Sequence, residues 1–466
     1  IMVRKNVFEA VDGFDAINTP ISHSDVDLCF KIRESGWSCV YTPFATLTHI
    51  GHMSRETQDF ESGEQKFKKD PSDIYLLKRW AAMCAYDPYF PPEVRDMIYI
   101  DSQEPYQLYI GDRPSDRGGK SALILSHDLT QSGAPRVVLD LADALSKQGY
   151  FVCVMSPSDG PLRFELTAAG VDVIIEPLLL REHDSVRDLA SNFDLVVANT
   201  VVTWPAVKQI SPFTDVYWYI HETGLIDQIA AEQPGFLPSF NKVKGVWAGS
   251  DRAMEKLRAH GIDGTIVEYG VDMIAREHGS SAAHSDQLIV SCFGSFEPRK
   301  GQDLALLGFL ELPVDLREQV ILQFSGRILH HEYAEILREK AKDEPNVRFL
   351  GDLSFEEYRD ALQGSHVVIC PSRDDTLPLV SLHALAAKKA LLVSAATGTS
   401  AYLDDGVSGM ILTNNSPSEI SEILQELARN KRRVDEIGEG GFAVYSQYFS
   451  RLAFQDRIHS MIRLHG

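Results

Sequence analysis

Three segments combine residue types and spacings that could handle a phosphate. The first is Ser126-His-Asp-Leu-Thr-Gln-Ser-Gly-Ala-Pro135, which ends an apolar run and leads into a helical pattern. Gly133 would let the backbone approach an anion at a helix N-terminus, where exposed amides and the dipole favour negative charge. The plainer reading is that Gly133 relieves a tight turn and Pro135 starts the helix. The second is Cys292-Phe-Gly-Ser-Phe-Glu-Pro-Arg-Lys-Gly301, a strand and a glycine turn followed by Arg299 and Lys300, with a helix from about Gln302. Adjacent cations there can neutralise a diphosphate and stabilise charge on a leaving group. The alternative is two solvated surface charges, an odd placement in so acidic a chain. The third is Cys370-Pro-Ser-Arg-Asp-Asp-Thr-Leu-Pro-Leu-Val-Ser-Leu-His-Ala384. Pro378 suits a first helical position, Asp374 or Asp375 can cap the exposed amides, and His383 lies about a turn and a half further on. Capping would explain Asp374. It would not explain why three strand ends offer glycine, cations and carboxylates toward one cleft.

The elements that must position these segments are legible as short apolar, β-branched runs. One set lies near 122–126, 151–155, 171–175, 195–198, 216–220, 246–249 and 265–268. A second lies near 288–294, 320–324, 347–350, 367–370, 390–393 and 410–412. Amphipathic stretches alternate with them; over 136–147, Val137, Val138, Leu141, Ala144 and Leu145 share one face. Continuous apolar strands alternating with helices predict parallel sheets covered on both faces. The fold class expected is therefore α/β, with two tandem doubly wound, Rossmann-like domains separated by the polar stretch 275–286. Ligands of such sheets bind beyond the C-terminal strand ends.

Composition excludes several classes. The 466 residues suggest about three domains. Against 45 Lys+Arg stand 66 Asp+Glu, a formal charge of −21. That argues against a broad nucleic-acid footprint and a polybasic membrane anchor, while leaving local basic pockets open. No apolar run has the length of a membrane span and no leader pattern opens the chain. The six cysteines form no C-x-x-C pair, so neither a zinc knuckle nor a disulfide framework is expected, and a reducing cytosol is the default. There is no G-x-x-x-x-G-K-[ST], and no strand is followed by G-x-G-x-x-G, which argues against P-loop hydrolysis and a dinucleotide cofactor.

From about 121 to 463 the chain resembles the retaining glycosyltransferases of family 4, with the GT-B fold. The pieces occur in family order: Ser132-Gly-Ala-Pro, Tyr219-Ile-His-Glu-Thr-Gly224, Ala248-Gly-Ser-Asp251, Tyr269-Gly-Val-Asp272, Gly294-Ser-Phe-Glu-Pro-Arg-Lys-Gly301, Phe349-Leu-Gly-Asp352 and Pro371 through Ala384. The resemblance implies transfer of a sugar from a nucleotide-diphosphate donor to an acceptor hydroxyl, with retention and without a bound metal. It puts Lys300 on the diphosphate and His221 near the reacting sugar, with Glu222 beside it. Ser295 stands where the family usually carries an arginine, and Arg299 is the substitute cation. The E-x(7)-E pattern falls on Asp375 and His383, so both glutamates are replaced. Donor contacts are expected from Gly133, Ser295, Arg299, Lys300, Gly326, Leu350, Asp375, Thr376, Leu377, Pro378 and His383, with the base near 348–351 and Gly326.

A second resemblance covers about 1–60. Phe8-Glu-Ala-Val-Asp-Gly-Phe-Asp15, Ser24-Asp-Val-Asp-Leu-Cys-Phe-Lys-Ile-Arg33 and His49-Ile-Gly-His-Met-Ser-Arg55 look like the closing half of a family 2 glycosyltransferase with a GT-A fold. It implies a catalytic base within the pair Asp25/Asp27 and a metal-site role for His49. Ordinary loop histidines are the alternative for His49 and His52. Asp25 and Asp27, at i and i+2, cannot share a helix face, so one would face a site while the other caps the helix. The nucleotide-binding first half of that fold is absent, and the chain opens inside a helix-like pattern, so this piece reads as a remnant of a longer two-enzyme chain.

The expected organisation is a GT-A remnant at 1–60, a helix and extended linker at 61–118, an acceptor domain at 119–283, a donor domain at 284–448 and a C-terminal helix at 449–466 packing back on the acceptor domain. The expected partners are a nucleotide sugar and a glycan or lipid-linked acceptor, not nucleic acid. The expected location is the cytoplasm, with peripheral membrane contact open. The expected function is sugar transfer in cell-surface polysaccharide or glycan synthesis. The other reading is a GT-B-like binding or scaffolding domain that has lost turnover.

Overall fold

The computed structural model describes residues 1–42 except 21, the positions 44, 72, 75, 76, 79, 80 and 83, residues 107–111, and residues 120–463 except 132, 182, 183 and 275–286. The expected separator at 275–286, most of the linker, and His49 with His52 lie outside the described residues.

Helices α1 (Lys5–Ala10) and α2 (Ser24–Glu34) come first. Strand β1 (Gln107–Tyr109) then precedes β2 (Ser121–Leu125), α3 (Gly133–Lys147), β3 (Phe151–Ser156), α4 (Leu162–Ala168), β4 (Asp172–Ile175), α5 (Asp184–Ala190), β5 (Leu195–Asn199), α6 (Trp204–Ile210), β6 (Val216–Ile220), α7 (Gly224–Glu232), α8 (Phe236–Ser239), β7 (Gly245–Ala248), α9 (Asp251–Ala259) and β8 (Thr265–Ile266). The second series is β9 (Leu288–Phe293), α10 (Gln302–Leu310), α11 (Val314–Arg317), β10 (Val320–Ser325), α12 (His331–Ala341), β11 (Val347–Gly351), α13 (Phe355–Gly364), β12 (Val367–Cys370), α14 (Leu379–Ala386), β13 (Ala390–Ser394), β14 (Met410–Leu412), α15 (Pro417–Arg429), α16 (Lys431–Val444) and α17 (Arg451–Arg463).

Two sheets result, in the orders β1-β4-β3-β2-β5-β6-β7-β8 and β11-β10-β9-β12-β13-β14. All thirteen runs read from the sequence are strands. Burial explains most of them: β2, β3, β4, β5 and β6 bury every residue, as do β10, β12 and β13, while β11 is a largely exposed edge strand. A strand covered on both faces has no reason to alternate. The fourteenth strand, β1, pairs antiparallel with β4, whereas β2 pairs parallel with β3 and β5, β3 with β4, and β7 with β8.

The chain forms two compact units. One holds residues 1–131, 145–217 and 242–244; the other holds 132–144, 218–241 and 245–466. In the first unit, β2 is tied to the start of β5 through Asp194, whose carboxylate accepts from the Ser121 amide at 2.6 Å and the Ser121 hydroxyl at 2.9 Å. Asp27 of α2 lies in this unit and is fully buried. It accepts from the Trp80 indole N–H at 2.7 Å and pairs with Lys31 at 3.2 Å. Asp25 is exposed on the same first turn. A buried carboxylate needs such partners to remain charged.

In the second unit, α10, α12 and α15 pack on one apolar core with β9, β10, β12, β13 and β14; Leu306, Phe309, Phe324, Leu337, Ile420 and Leu424 are its large members. The C-terminal α17 is fastened by Arg451, which reaches Asp140 at 2.8 Å and Asp272 at 2.7 Å, and by Gln455, whose amide donates to Asp143 at 2.8 Å. Chain order in the second sheet runs outward from β9 in one direction and from β12 in the other. The β9/β12 neighbour pair is therefore its topological switch point, where the loops leaving two adjacent strands diverge and leave room for a ligand.

Candidate active site

The loops leaving β9 and β12 meet through charge. After β9, a short 3-10 turn, Pro298–Lys300, carries both cations and ends at Gly301. Lys300 donates to the Asp375 carboxylate at 2.6 Å. Arg299 lies 3.5 Å from the same carboxylate oxygen, donates to the Asp374 carbonyl at 3.0 Å and bonds Glu297 at 3.0 Å. Ser295, where the resemblance expects an arginine, donates to that Glu297 carboxylate at 2.8 Å. Arg373 braces the turn from the β12 side. Its guanidinium grips Asp303 at 2.6 and 2.9 Å, and its amide donates to the Arg299 carbonyl at 2.8 Å. Lys300 is the more enclosed cation, its side chain 20% exposed against 45% for Arg299. Its charge therefore acts through less water and over a longer reach.

Two sequence expectations need correction here. Pro378 is not the first helical residue; it is the N-cap of α14, extended at φ −64° and ψ 127°. Nor do Asp374 and Asp375 cap that helix, whose start has no side-chain cap. Asp375 is held by Lys300. Asp374 accepts from the Thr223 hydroxyl at 2.6 Å and from Arg252 at 3.3 Å. The first amides of α14 thus keep the anion-attracting character of a helix N-terminus.

His221, directly after β6, belongs to the same unit and is 8% exposed. Its ring packs against Tyr219 at 4.2 Å and Tyr269 at 5.6 Å between centroids. Tyr269 donates its hydroxyl to the carbonyl of Leu377, one residue ahead of the α14 cap. Burial, then the nearby Asp375 charge, push that hydroxyl well above its usual range, so it stays a donor. Gly249 makes room for the histidine: a Cβ there would lie 2.7 Å from His221 Nδ1. Gly326, at φ +152°, plays the same part between the β9 and β10 loops, where a Cβ would lie 2.1 Å from the Gly294 carbonyl oxygen.

Gly133 opens α3 itself, so the helix begins before Pro135; a Cβ at Gly133 would lie 3.9 Å from the Leu379 side chain. His383, on α14, shares a hydrogen bond of 3.0 Å between Nδ1 and the Tyr358 hydroxyl. Phe355 and Tyr358 flank its ring at 6.5 and 5.6 Å between centroids. Leu350, the last residue but one of the edge strand β11, is 36% exposed. Thr376 lies close behind Gly398, where a Cβ would meet the Thr376 carbonyl oxygen. Cys370, at the end of β12, is no nucleophile: burial pushes its thiol up to about 12. Among the described residues no cluster of three or more His, Cys, Asp or Glu could hold a metal, and no helix is long and apolar enough to cross a membrane.

Burial, and then the positive Arg136, push the His383 pKa down to about 4. At neutral pH the ring is therefore an uncharged donor and acceptor. Above pH ~6.5 neither the folded nor the unfolded chain holds this proton. Between ~6.5 and ~4 the unfolded chain takes it up first, so stability falls with falling pH, by about 3 kcal/mol in all. Urea unfolding at pH 7 and pH 4.5 should show that loss in the wild type and a loss smaller by about 2 kcal/mol in His383→Gln. Equal losses in both would refute this burial-driven shift.

Thr223, Arg252, Tyr269, Tyr358, Arg136 and Gly249 are parts of this site that sequence reasoning did not assign. Thr223, Gly249 and Tyr269 did stand inside quoted motifs; Arg252, Tyr358 and Arg136 come from positions with no local signal.

Comparisons with known proteins bear on the fold and on the family of these stretches. Residues 118–254 match the family model Glycosyl-transferase family 4, and residues 273–443 match Glycosyl transferases group 1. A D-inositol 3-phosphate glycosyltransferase of Kribbella flavida is 24% identical over 190 residues, 37% of this chain and 45% of the relative. An uncharacterized glycosyltransferase of Methanocaldococcus jannaschii is 24% identical over 158 residues, 34% of this chain and 42% of the relative. The chain thus spans less than half the length of these curated relatives. Among solved structures, Anabaena HepE in complex with UDP and glucose superposes with a TM-score of 0.65 at 18% identity, covering 74% of this chain and all of that one. Sucrose-phosphate synthase of Thermosynechococcus elongatus superposes at 0.63 with 17% identity, covering 74% and 99%. Two stretches of the chain thus match glycosyltransferase family models, group 1 in its C-terminal series and family 4 ahead of it, and the chain has the α/β fold of the GT-B enzymes.

Proposed function

We propose that this chain transfers a sugar from a nucleoside-diphosphate donor to an acceptor hydroxyl with retention of configuration, in the synthesis of a cell-surface polysaccharide or related glycan. One observation carries the reading: Lys300 and Arg299, His221 and the side-chain-uncapped start of α14 converge in one compact unit at the switch point of the second sheet. In this reading Lys300 and Arg299 take the diphosphate, with Thr376, Leu377 and Pro378 presenting the helix start and Gly133 approaching from α3. Departure of the nucleoside diphosphate develops negative charge, which preorganised cations and amides stabilise. His221 positions the sugar, and Asp375, freed from Lys300 as phosphate arrives, accepts from a sugar hydroxyl. Ser295 and Gly326 line the turn, Leu350 borders the base and His383 contacts the ribose. We assign donor recognition to 284–448, acceptor recognition to 119–283, and to 449–466 the fastening of one to the other. No metal is assigned to this chemistry.

The test is a panel of UDP-, GDP-, ADP- and TDP-sugars scored by thermal shift. The stabilising donor is then offered to sugar and lipid-linked acceptors, and the anomeric configuration of the product is read by NMR. Stabilisation by one donor class and a retained linkage are expected. No stabilisation by any donor, or an inverted product, would overturn the reading. A second reading, a binding or scaffolding domain without turnover, is favoured by Ser295 and His383, which stand where the family resemblance expects arginine and glutamate. It predicts donor binding with neither transfer nor donor hydrolysis.

For the N-terminal stretch we propose kinship with the closing part of a family 2, GT-A enzyme. The enclosure of Asp27 by Trp80 and Lys31 supports a packing role for that carboxylate, leaving Asp25 as the exposed member of the pair. His49 lies outside the described residues.

A further inference from the structure

We infer that Asp374 is a positioning residue that sets the spacing between His221 and the Arg299–Lys300 turn, holding Thr223 with its carboxylate and Arg299 with its carbonyl. This rests on the donor reading above. Asp374 lies in the loop leaving β12, and three other segments of the same compact unit converge on it. Thr223, two residues after His221, donates its hydroxyl to Oδ2 at 2.6 Å. Arg252, on the first turn of α9, donates to Oδ1 at 3.3 Å. Arg299 donates to the Asp374 carbonyl oxygen at 3.0 Å. One residue thus joins the histidine's loop to the cation turn.

Local structure gives the link more weight than a surface pair. Thr223 is the N-cap of α7, a position where a threonine hydroxyl ordinarily accepts from an amide of its own helix. It makes no such bond here; the residue is buried and its hydroxyl turns to Asp374 instead. A hydrogen bond to a carboxylate is among the stronger ones. The Arg252 contact is longer and lies between partly exposed side chains, so it adds less. Both ends of the link are stiff. At one end the Arg373 amide donates to the Arg299 carbonyl at 2.8 Å, the Asp375 amide donates to the Ala396 carbonyl at 3.2 Å, and the Gly398 amide donates to the Asp375 carbonyl at 3.0 Å. At the other end Lys256 of α9 bonds Asp227 of α7 at 2.7 Å, so the helix that Thr223 caps is tied to the helix that carries Arg252. A short bond between stiff segments fixes their separation. Reacting groups tolerate little error in it, since a displacement of about 1 Å can cost roughly 10²-fold in rate.

The experiment measures release of nucleoside diphosphate from UDP-, GDP-, ADP- and TDP-sugars by the full chain, alongside calorimetric binding of the matching nucleoside diphosphates. With the best donor, Asp374→Ala and Thr223→Val should each lower kcat about tenfold or more, while diphosphate affinity changes by less than about threefold. Thr223→Ser should recover most of the loss because it returns the hydroxyl. Asp374→Asn should recover part, because its amide oxygen still accepts. The double variant should lose no more than the larger single loss, since both substitutions remove one hydrogen bond. Turnover within about twofold of wild type in Asp374→Ala and Thr223→Val would overturn the inference. So would losses that multiply in the double variant, or an affinity that falls as far as turnover does. If Lys300→Ala lowers turnover in the same series while the Asp374 and Thr223 variants do not, the donor reading survives and only the role of Asp374 falls. If the wild type neither binds nor hydrolyses any donor of the panel, both fall. Thermal unfolding separates these outcomes from misfolding, and Thr223→Val, close to threonine in shape, keeps the test open should Asp374→Ala fail to fold.

Discussion

Lys300→Ala should lower kcat/KM for the donor by 10²–10³-fold, about 3–4 kcal/mol of transition-state stabilisation. The size follows from where the ammonium sits. It is the more enclosed of the two adjacent cations and lies 2.6 Å from Asp375. Its removal has two effects. The departing diphosphate loses a charge whose contribution grows as the bond to the sugar breaks, so kcat should fall as well as donor affinity. Asp375, which is 8% exposed, also loses its closest partner. Arg299, 3.5 Å from the same carboxylate oxygen, can swing toward it and is then less available to phosphate. Lys300→Arg should restore part of the rate, whereas Lys300→Gln should not. Rates within twofold of wild type for Lys300→Ala, measured on protein whose thermal unfolding is unchanged, would remove the diphosphate from this loop.

The physical basis of what could be read in advance is plain from the two sheets. Strands buried on both faces announce themselves as unbroken apolar runs, which is why β10, β12 and β13 were visible, while the largely exposed edge strand β11 was marked by Val347, Phe349 and Leu350. β1 was hidden because it is three residues long, half-buried, and sits at the sheet edge within a stretch that reads as linker. At the site, residue types were legible and pairings were not. Lys300 and Asp375 both stood out, but 75 positions separate them, and nothing local says that they neutralise one another. Asp374 read as a helix cap because its neighbourhood is that of a helix start. Its real partners, Thr223 and Arg252, stand 151 and 122 positions away. Pro378 was off by one position, because proline's fixed φ serves a cap and a first turn equally well.

His221→Ala should reduce turnover by 10²–10³-fold while changing the donor KM by less than threefold, the signature of a contact made in the transition state rather than in the ground state. Three neighbours hold the ring where a small displacement would matter. Tyr219 and Tyr269 pack on it, and Gly249 leaves the space that its Nδ1 edge needs. Tyr269 in turn bonds the carbonyl of Leu377, so the ring is indexed to the start of α14, where the donor phosphates are proposed to lie. An alanine cannot contact a sugar from that position, yet it leaves Lys300, Arg299 and the helix start untouched. Donor binding should therefore persist. Gly249→Ala supplies an independent measure, since its added methyl must push the intact imidazole off its position. It should cost turnover about tenfold or more at near-constant donor affinity, as a displacement of about 1 Å does elsewhere. A loss confined to donor affinity in both variants would put His221 against the nucleotide. Unchanged turnover in both would remove it from the reacting centre altogether.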